Sequence, residues 1–238
     1  PRSRGDLEAI IRFAVKDAQA YERGGAHALI IENFGDVPFT QASVGPETVA
    51  AMAAAGRAVR QGVKLPLGFN VLRNDPRAAL ALCAACQGSF IRVNVHTGAM
   101  LTDQGIIQGN AYDTLRYRRQ ICPEARILAD VHVKHAVPLG HWALGDSARD
   151  ALERGLADAL IVSGTGTGMA TDVADVQQVR AACPEAKILL GSGVTRDNLQ
   201  DYLPLADGFI VGSSLKVDGK IHNPVDSKRV AALARALQ

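Results

Sequence analysis

Two segments of the chain are near copies of each other, and they constrain the fold more than any other feature. They read CPEARILADVH from Cys122 and CPEAKILLGSG from Cys183, and they start 61 residues apart. Each copy leads from the end of a helical segment into a strand rich in Ile and Leu, and the spacing fits two βα units. The chain therefore repeats one strand–helix unit, as α/β barrels and doubly wound sheets do.

Short strands rich in Ile, Val and Leu alternate with eight helical segments along the chain. Helix start signals such as Asp75 followed by Pro76 precede several of the helical segments. The predicted strands cover residues 27–33, 65–71, 89–95, 126–133, 158–164, 187–193 and 207–213. This alternation predicts βαβ units and a parallel sheet.

The fold class that fits this pattern best is a (β/α)₈ TIM barrel, and the alternative is an open doubly wound sheet of seven strands. The barrel is favoured because the last two strands end in glycine-rich turns, as barrel strands do around a ligand. The first helix begins near Asp6 with no strand before it, so we expect strand one to precede Pro1. Residues 1–238 are predicted to form a single barrel domain that lacks this strand.

The composition excludes several classes of protein. Apolar residues make up 47% and charged residues 21%, and the net charge is +2, which argues against a nucleic-acid-binding surface. No apolar stretch reaches the length of a membrane span, and no signal-peptide pattern is present. Four cysteines fit a reducing, cytoplasmic compartment, and Cys83 and Cys86 are interpreted as helix-packing residues rather than a redox or metal pair.

Glycine and serine follow the last two predicted strands, in LLGSGVTRDNL (189–199) and FIVGSSLK (209–216). Many barrels hold phosphate in the loops after strands seven and eight, where backbone N–H groups approach the ligand. We expect Thr195 or Asp197 to cap the next helix, whose N-terminus also favours an anion. The alternative is a pair of tight turns without a ligand. The predicted phosphate-binding residues are Gly191, Ser192, Gly193, Gly212, Ser213 and Ser214.

Polar side chains occupy every second position in two neighbouring predicted strands. The sets, in ILADVHVKH and IRVNVHTG, are Asp130, His132 and Lys134, and Arg92, Asn94 and His96. Because strand side chains alternate between faces, each set is expected to share the face that lines the mouth of the barrel. The alternative is a satisfied ion-pair network, such as Asp130 with Arg92 or with Lys134.

These residue types predict acid–base chemistry at the barrel mouth. His132 is the natural general acid/base near neutral pH, while Lys134 suits polarising a carbonyl or forming a Schiff base. The predicted catalytic residues are Asp130, His132, Lys134, Glu32, Asn94 and His96, and the predicted substrate-binding residues are Asn70, Arg92, Asn33 and Ser163. No cofactor is assigned. A divalent metal held by Asp130, His132 and Glu32 is the less favoured alternative, because no H-x-H or H-E-x-x-H spacing occurs.

Six separated motifs resemble the BtpA/SgcQ family. They read IIENFGDVPF, GFNVLRND, RVNVHTGAMLTDQGIIQG, ILADVHVKHAVPLG, DALIVSGTGTG and FIVGSSLKVDGKIHNPVD. The resemblance implies a phosphate-binding TIM barrel of the ribulose-phosphate-binding kind, with a first strand and loop ahead of Pro1. The family is named for a cyanobacterial protein needed for photosystem I biogenesis and for a protein of a bacterial sugar-utilisation gene cluster, and the resemblance implies no particular reaction.

Two hypotheses of function follow from these residues and the resemblance. The first is a soluble cytoplasmic enzyme that acts on a phosphorylated sugar or sugar-like metabolite by aldol cleavage, isomerisation or epimerisation. The second is a non-catalytic biogenesis factor, bound to a protein partner or peripheral to a membrane, which predicts a large exposed apolar patch. Neither hypothesis includes a nucleic-acid partner or a transmembrane segment, and a homo-oligomer is a mild expectation of both.

Overall fold

The structure is a computed structural model that describes residues 6–140, 142–164 and 166–237. The strands of these ranges are β1 (Leu29–Glu32), β2 (Leu67–Asn70), β3 (Phe90–Val93), β4 (Ala99–Thr102), β5 (Gly105–Gln108), β6 (Arg126–Val131), β7 (Ala136–Pro138), β8 (Ala159–Val162), β9 (Ile188–Leu190) and β10 (Gly208–Phe209). The helices are α1 (Leu7–Arg23), α2 (Pro46–Gly62), α3 (Pro76–Ala85), α4 (Ala111–Ile121), α5 (Leu144–Arg149), α6 (Val173–Ala182), α7 (Leu199–Tyr202) and α8 (Ser227–Ala236).

Seven strands form one parallel sheet in the order β1-β2-β3-β6-β8-β9-β10. They are the seven strands predicted from the sequence, and each successive pair is connected through at least one helix. Within the described ranges, β1 and β10 are the two ends of this strand order. The strand expected before Pro1 stays a prediction.

The two faces of the parallel sheet have different chemistry. On the outer face, Phe69, Ile91 and Ile127 are fully buried in one of the hydrophobic clusters under the helices. On the inner face, alternate positions carry buried polar side chains, among them Arg92 and Asp130. The helices therefore pack on an apolar layer, while the interior of the barrel is polar toward the carboxyl ends of the strands.

A second, antiparallel sheet in the order β5-β4-β7 was not predicted. Its strands come from the segments that follow β3 and β6. One face packs Met100 and Ile107 into a small cluster with Val95 and Val133. The opposite face leaves three cross-strand neighbours exposed to solvent: Leu101 at 47%, Ile106 at 43% and Val137 at 57%.

Most helices begin where the sequence indicates. Asp6 and Asp75 cap α1 and α3 by accepting backbone N–H bonds of 2.9 Å from Ala9 and Ala78. The exception is α7, predicted within 195–205, which contains four residues only. No helix of the described ranges has the length and apolar character needed to cross a bilayer.

Candidate active site at the carboxyl ends of the strands

A cavity of about 230 Å³ opens beside the carboxyl ends of β1, β2 and β3. Segments that follow β6 and β8 complete its walls, and Phe34 and Phe39 lie at its rim with ring centroids 6.5 Å apart. The lining residues are Glu32, Phe34, Val37, Phe39, Asn70, Leu72, Arg73, Arg92, Asn94, Asp103, Lys134, His135 and Thr167. Barrel enzymes place their chemistry at this end of the strands, so the cavity is the candidate active site.

Asp130 anchors the interior below the cavity. Its carboxylate accepts bonds from Arg92 Nε at 2.8 Å and Nη2 at 2.7 Å, from Asn94 Nδ2 at 3.2 Å and from Ser163 Oγ at 3.1 Å. Burial alone would lower the pKa of Arg92, but Asp130 and then Glu32 raise it above its ordinary value. The ion pair that the sequence left open as an alternative is therefore present, and Asp130 has no free lone pair directed at a substrate.

Glu32 is the carboxylate that faces the cavity. Its Oε1 accepts a bond of 3.0 Å from Asn70 Nδ2 and lies 3.6 Å from Arg92 Nη1, while its side chain remains 26% exposed. Its Oε2 accepts no bond from the described residues. A carboxylate held on one oxygen and open on the other is suited to taking or giving a proton.

Lys134 presents an amine to the same cavity. Its Nζ has no hydrogen bond or ion pair with any described residue. Burial lowers the pKa of Lys134, and the positive charge of Arg92 lowers it further, against opposing effects of Glu32 and Asp130. A lysine with a depressed pKa has a larger unprotonated fraction near neutral pH, which is the form that attacks a carbonyl.

His132 does not lie with Lys134 in this cavity, so the expectation that Asp130, His132 and Lys134 line one face together was wrong. β6 ends at Val131, and His132 has a φ of +51°, which interrupts the alternation of side chains. The ring lies against α5, where Nε2 is 2.9 Å from Ser147 Oγ, and lines a separate cavity of about 60 Å³. The prediction assumed that extended geometry continued as far as Lys134.

His96 and Asn33 also lie outside the cavity. β3 ends at Val93, and the His96 ring is buried with Nε2 2.8 Å from the carbonyl oxygen of Gly155. Burial lowers the pKa of His96. Asn33 Oδ1 accepts a hydrogen bond of 2.7 Å from the backbone N–H of Leu72, and Asn33 Nδ2 donates one of 3.3 Å to the Leu72 carbonyl oxygen. Both side chains fix backbone around the site, whereas the predicted Asn70, Asn94 and Arg92 line the cavity itself.

The first predicted phosphate loop follows β9 and is tightly packed. Gly191 faces the barrel interior, since a Cβ there would lie 3.2 Å from Arg92 Nη2. Gly193 has a φ of +68°, and a Cβ would lie 2.2 Å from the carbonyl oxygen of Met169 in the loop after β8. The hydroxyl of Ser192 accepts from Gly164 N at 3.1 Å, so it holds that loop rather than a ligand.

The second predicted phosphate loop contains Gly212, Ser213 and Ser214 and remains more open. The backbone N–H groups of these three residues find no acceptor within the described ranges. Ser214 Oγ donates 2.9 Å to the carbonyl of Val194, which joins the two loops.

The helix after the first loop does not begin as expected. Thr195 N donates to Asn198 Oδ1 at 2.8 Å, and Asn198 precedes α7 without making a capping bond. Thr195 Oγ1 also accepts a bond of 3.4 Å from Asn198 N, so Thr195 caps the turn before α7 and not α7 itself, and the expectation is met only in this part. An N-terminus of so short a helix contributes little to anion binding.

The predicted metal ligands do not meet. Across the described ranges, no three His, Cys, Asp or Glu side chains come close enough to hold an ion. Asp130 is saturated by Arg92, Asn94 and Ser163, and His132 lies in a different cavity from Glu32. The trio of Asp130, His132 and Glu32 is therefore not assembled.

The cavity also contains residues outside the predicted catalytic and substrate-binding sets, among them Arg73 and His135. Arg73 follows β2 and His135 follows Lys134, and both lie just past a strand end, a position that marks the functional rim of a barrel. His135 Nε2 accepts the N–H of Thr167 at 3.2 Å and lies 3.1 Å from its hydroxyl, so the loop after β8 is tied to the cavity wall. Their position two residues beyond the predicted strands 65–71 and 126–133 was the signal available.

The family model described as BtpA family matches residues 1–238. The chain belongs to the BtpA family. Photosystem I biogenesis protein BtpA of Synechocystis sp. is 44% identical over 233 residues, which cover 98% of this chain and 81% of that protein. The putative sgc region protein SgcQ of Escherichia coli is 33% identical over 223 residues, covering 93% and 82%. The resemblance seen in six motifs is confirmed.

A solved structure gives the fold of this BtpA-family chain an independent comparison. Thiamine phosphate pyrophosphorylase from Pyrococcus furiosus superposes with a TM-score of 0.61 at 14% identity, over 94% of this chain and 88% of that one. At this identity the likeness concerns the fold alone. Together with the seven-stranded parallel sheet, it confirms the TIM-barrel-like fold class.

Proposed function

We propose that this BtpA-family protein is an enzyme that acts on a small phosphorylated sugar or sugar-like metabolite. The observation that carries the proposal is the presence, in one cavity, of the unpaired Lys134 amine and the half-engaged Glu32 carboxylate. A volume of about 230 Å³ lies below the roughly 300–1,000 Å³ of sites for drug-sized ligands and suits a small metabolite. The open N–H groups of Gly212, Ser213 and Ser214 support a phosphate position.

The chemistry we propose is proton transfer at a carbon next to a carbonyl. The unprotonated Lys134 amine adds to the carbonyl carbon, and loss of water leaves an iminium ion that acidifies the neighbouring C–H bond. Glu32 accepts that proton and returns it to the opposite face of the same carbon, and water then hydrolyses the iminium ion, which releases Lys134 and gives the epimer. If a C–C bond breaks instead, the same residues perform aldol cleavage, a lyase reaction. Asp130 holds Arg92 in place and has no proton-transfer role.

Reductive trapping tests the proposal. A panel of phosphorylated aldoses, ketoses and keto acids is incubated with the protein and borohydride, which converts an iminium ion into a stable secondary amine on lysine. We expect a mass increase on the peptide that contains Lys134 and none in Lys134→Met, while the control Lys187→Met, an exposed surface change, labels normally. Glu32→Gln should keep trapping and lose turnover. Turnover that survives Lys134→Met would refute the assignment.

A second candidate function is favoured by the exposed face of the β5-β4-β7 sheet. Leu101, Ile106 and Val137 form an apolar row there, which a non-catalytic assembly factor would use to bind a protein partner. The Synechocystis relative is named for photosystem I biogenesis. The test is complementation of a Synechocystis strain that lacks that relative. Restored photosystem I content with the wild-type chain and with Lys134→Met, but not with Val137→Asp, would support this function over catalysis.

A further inference from the structure

Arg73 is a buried cation that lacks an acidic partner. Its residue is 4% exposed and lines the cavity just past β2. Its Nη2 donates 2.5 Å to the carbonyl oxygen of Lys134, and its guanidinium makes no ion pair with any described carboxylate. A guanidinium carries five N–H donors, so most of them are left for solvent or a ligand in the cavity.

Lys134 is held beside Arg73 by this same bond. Because Arg73 donates to the backbone of Lys134, the two residues are fixed in one part of the cavity wall. Burial lowers the pKa of Lys134 most, and Arg92 and Arg73 lower it further, while Glu32 and Asp130 oppose them. Arg73 itself lies within ion-pair distance of no described carboxylate.

The carboxylates around the cavity act on Arg73 from a distance and form no ion pair with it. Burial has the largest effect on the pKa of Arg73 and lowers it, while Asp130, Asp103 and Glu32 raise it. Asp130 is engaged by Arg92, and among the described residues Glu32 lies within ion-pair distance of Arg92 alone. Asp103 accepts 2.5 Å from Gln104 Nε2. Burying a cation without an ion-pair partner is unfavourable, and an anionic ligand would offset that penalty when it binds.

We propose that Arg73, next to Lys134, forms a subsite for an oxyanion group, either carboxylate or phosphoryl, of a small metabolite. The planar fork of Arg73 matches two oxygens of such a group, and an anion held there covers the neighbouring Lys134 amine. Arg73 follows β2, which β3, β6 and β8 separate from β9 and β10 in the strand order. If the proposed function is also right, the substrate carries two anionic groups, for example a phosphorylated sugar acid.

Chemical footprinting of the intact protein tests the subsite without any substrate. Lysines are acetylated with acetic anhydride in inorganic phosphate, in malonate, or in chloride at equal ionic strength, and each site is quantified by mass spectrometry. We expect phosphate, malonate or both to slow acetylation of Lys134 at least fivefold, while the exposed Lys64 and Lys220 are unaffected. Protection by phosphate alone would indicate a phosphoryl group, and protection by malonate alone would indicate a carboxylate.

Two variants locate the protecting anion. Arg73→Met should abolish protection of Lys134, while Arg57→Met, an exposed change on α2, should retain it. Gly212→Asp introduces a negative charge into the second glycine loop, where a Cβ meets no atom within 4 Å, and it should retain protection too. Loss of protection in Gly212→Asp but not in Arg73→Met would place the anion on the loops and overturn the subsite.

The wild-type comparison remains decisive if Arg73→Met fails to fold. Equal acetylation of Lys134 in phosphate, malonate and chloride would overturn the proposal on its own. The acetylation experiment measures no turnover, so its result does not depend on whether the trapping experiment detects a reaction. Failure of the subsite and failure of the proposed function can therefore be told apart.

Discussion

Replacing Asp130 with leucine should destabilise the protein strongly, because it leaves the buried Arg92 without its ion-pair partner. The Arg92 side chain is 3% exposed and that of Asp130 is fully buried. Removing one partner of a buried ion pair costs about 3–5 kcal/mol in the free energy of unfolding. Glu32 remains 3.6 Å from Arg92 Nη1 and compensates in part, so we expect about 3–4 kcal/mol for Asp130→Leu.

The reverse change, Arg92→Met, should cost more. Asp130 would keep only the neutral donors Asn94 and Ser163, and we expect about 4–5 kcal/mol. The double variant should lose less than the sum of the two single changes, because an apolar pair of similar volume leaves no buried charge behind. This non-additivity distinguishes the cost of leaving a buried charge unpaired from a simple loss of packing.

Urea and thermal unfolding followed by circular dichroism measure these differences. At this chain length about 1 kcal/mol corresponds to roughly 2–4 °C, so Asp130→Leu should lower Tm by about 6–16 °C. The control is Arg126→Met, which breaks a pair whose arginine is 71% exposed and should change little. A loss below about 1 kcal/mol for Asp130→Leu, or strict additivity in the double variant, would refute the reasoning.

Three further changes test other parts of the structure. Gly193→Ala should lower the free energy of unfolding by at least about 2 kcal/mol, because its backbone is left-handed and its Cβ would meet the loop after β8. Urea unfolding measures this loss, and Gly35→Ala is the control because a Cβ there meets open space. Burial lowers the folded-state pKa of His96, His132 and His135. The stability that these three histidines contribute is fully present above their unfolded-state pKa of about 6.5. The free energy of unfolding should therefore decline as pH falls from 7.5 to 5.5, and an increase over that range would contradict the assignment. Burial raises the pKa of Cys83 to about 12, so this thiol should resist Ellman's reagent at pH 8 until urea is added.

The periodic parts of the chain could be predicted from the sequence because their pattern is local. The seven strands of the parallel sheet appear as runs of Ile, Val and Leu, and Asp75 before Pro76 marks the start of α3. Arg92 and Glu32 were placed at the strand ends because the carboxyl ends of parallel strands meet at one rim.

The parts that failed depend on backbone geometry just beyond the strands. A positive φ at His132 turns its ring toward α5, and another at His135 directs that ring to Thr167. No periodicity of side chains encodes such a change, since left-handed backbone is uncommon outside glycine. Arg73 was missed because one arginine past a strand looks like an ordinary surface residue until its burial is known.

The small β5-β4-β7 sheet at the cavity mouth should have a local stability different from that of the barrel. Its core is a cluster of four buried residues, Val95, Met100, Ile107 and Val133, separate from the two large clusters under the helices. So few buried contacts support a low free energy of local opening, well below that of global unfolding. In hydrogen exchange, the amides of β4 and β5 should therefore exchange long before those of β3 and β6. We therefore expect the wall that contributes Asp103 to open as a unit while the barrel beneath it stays folded.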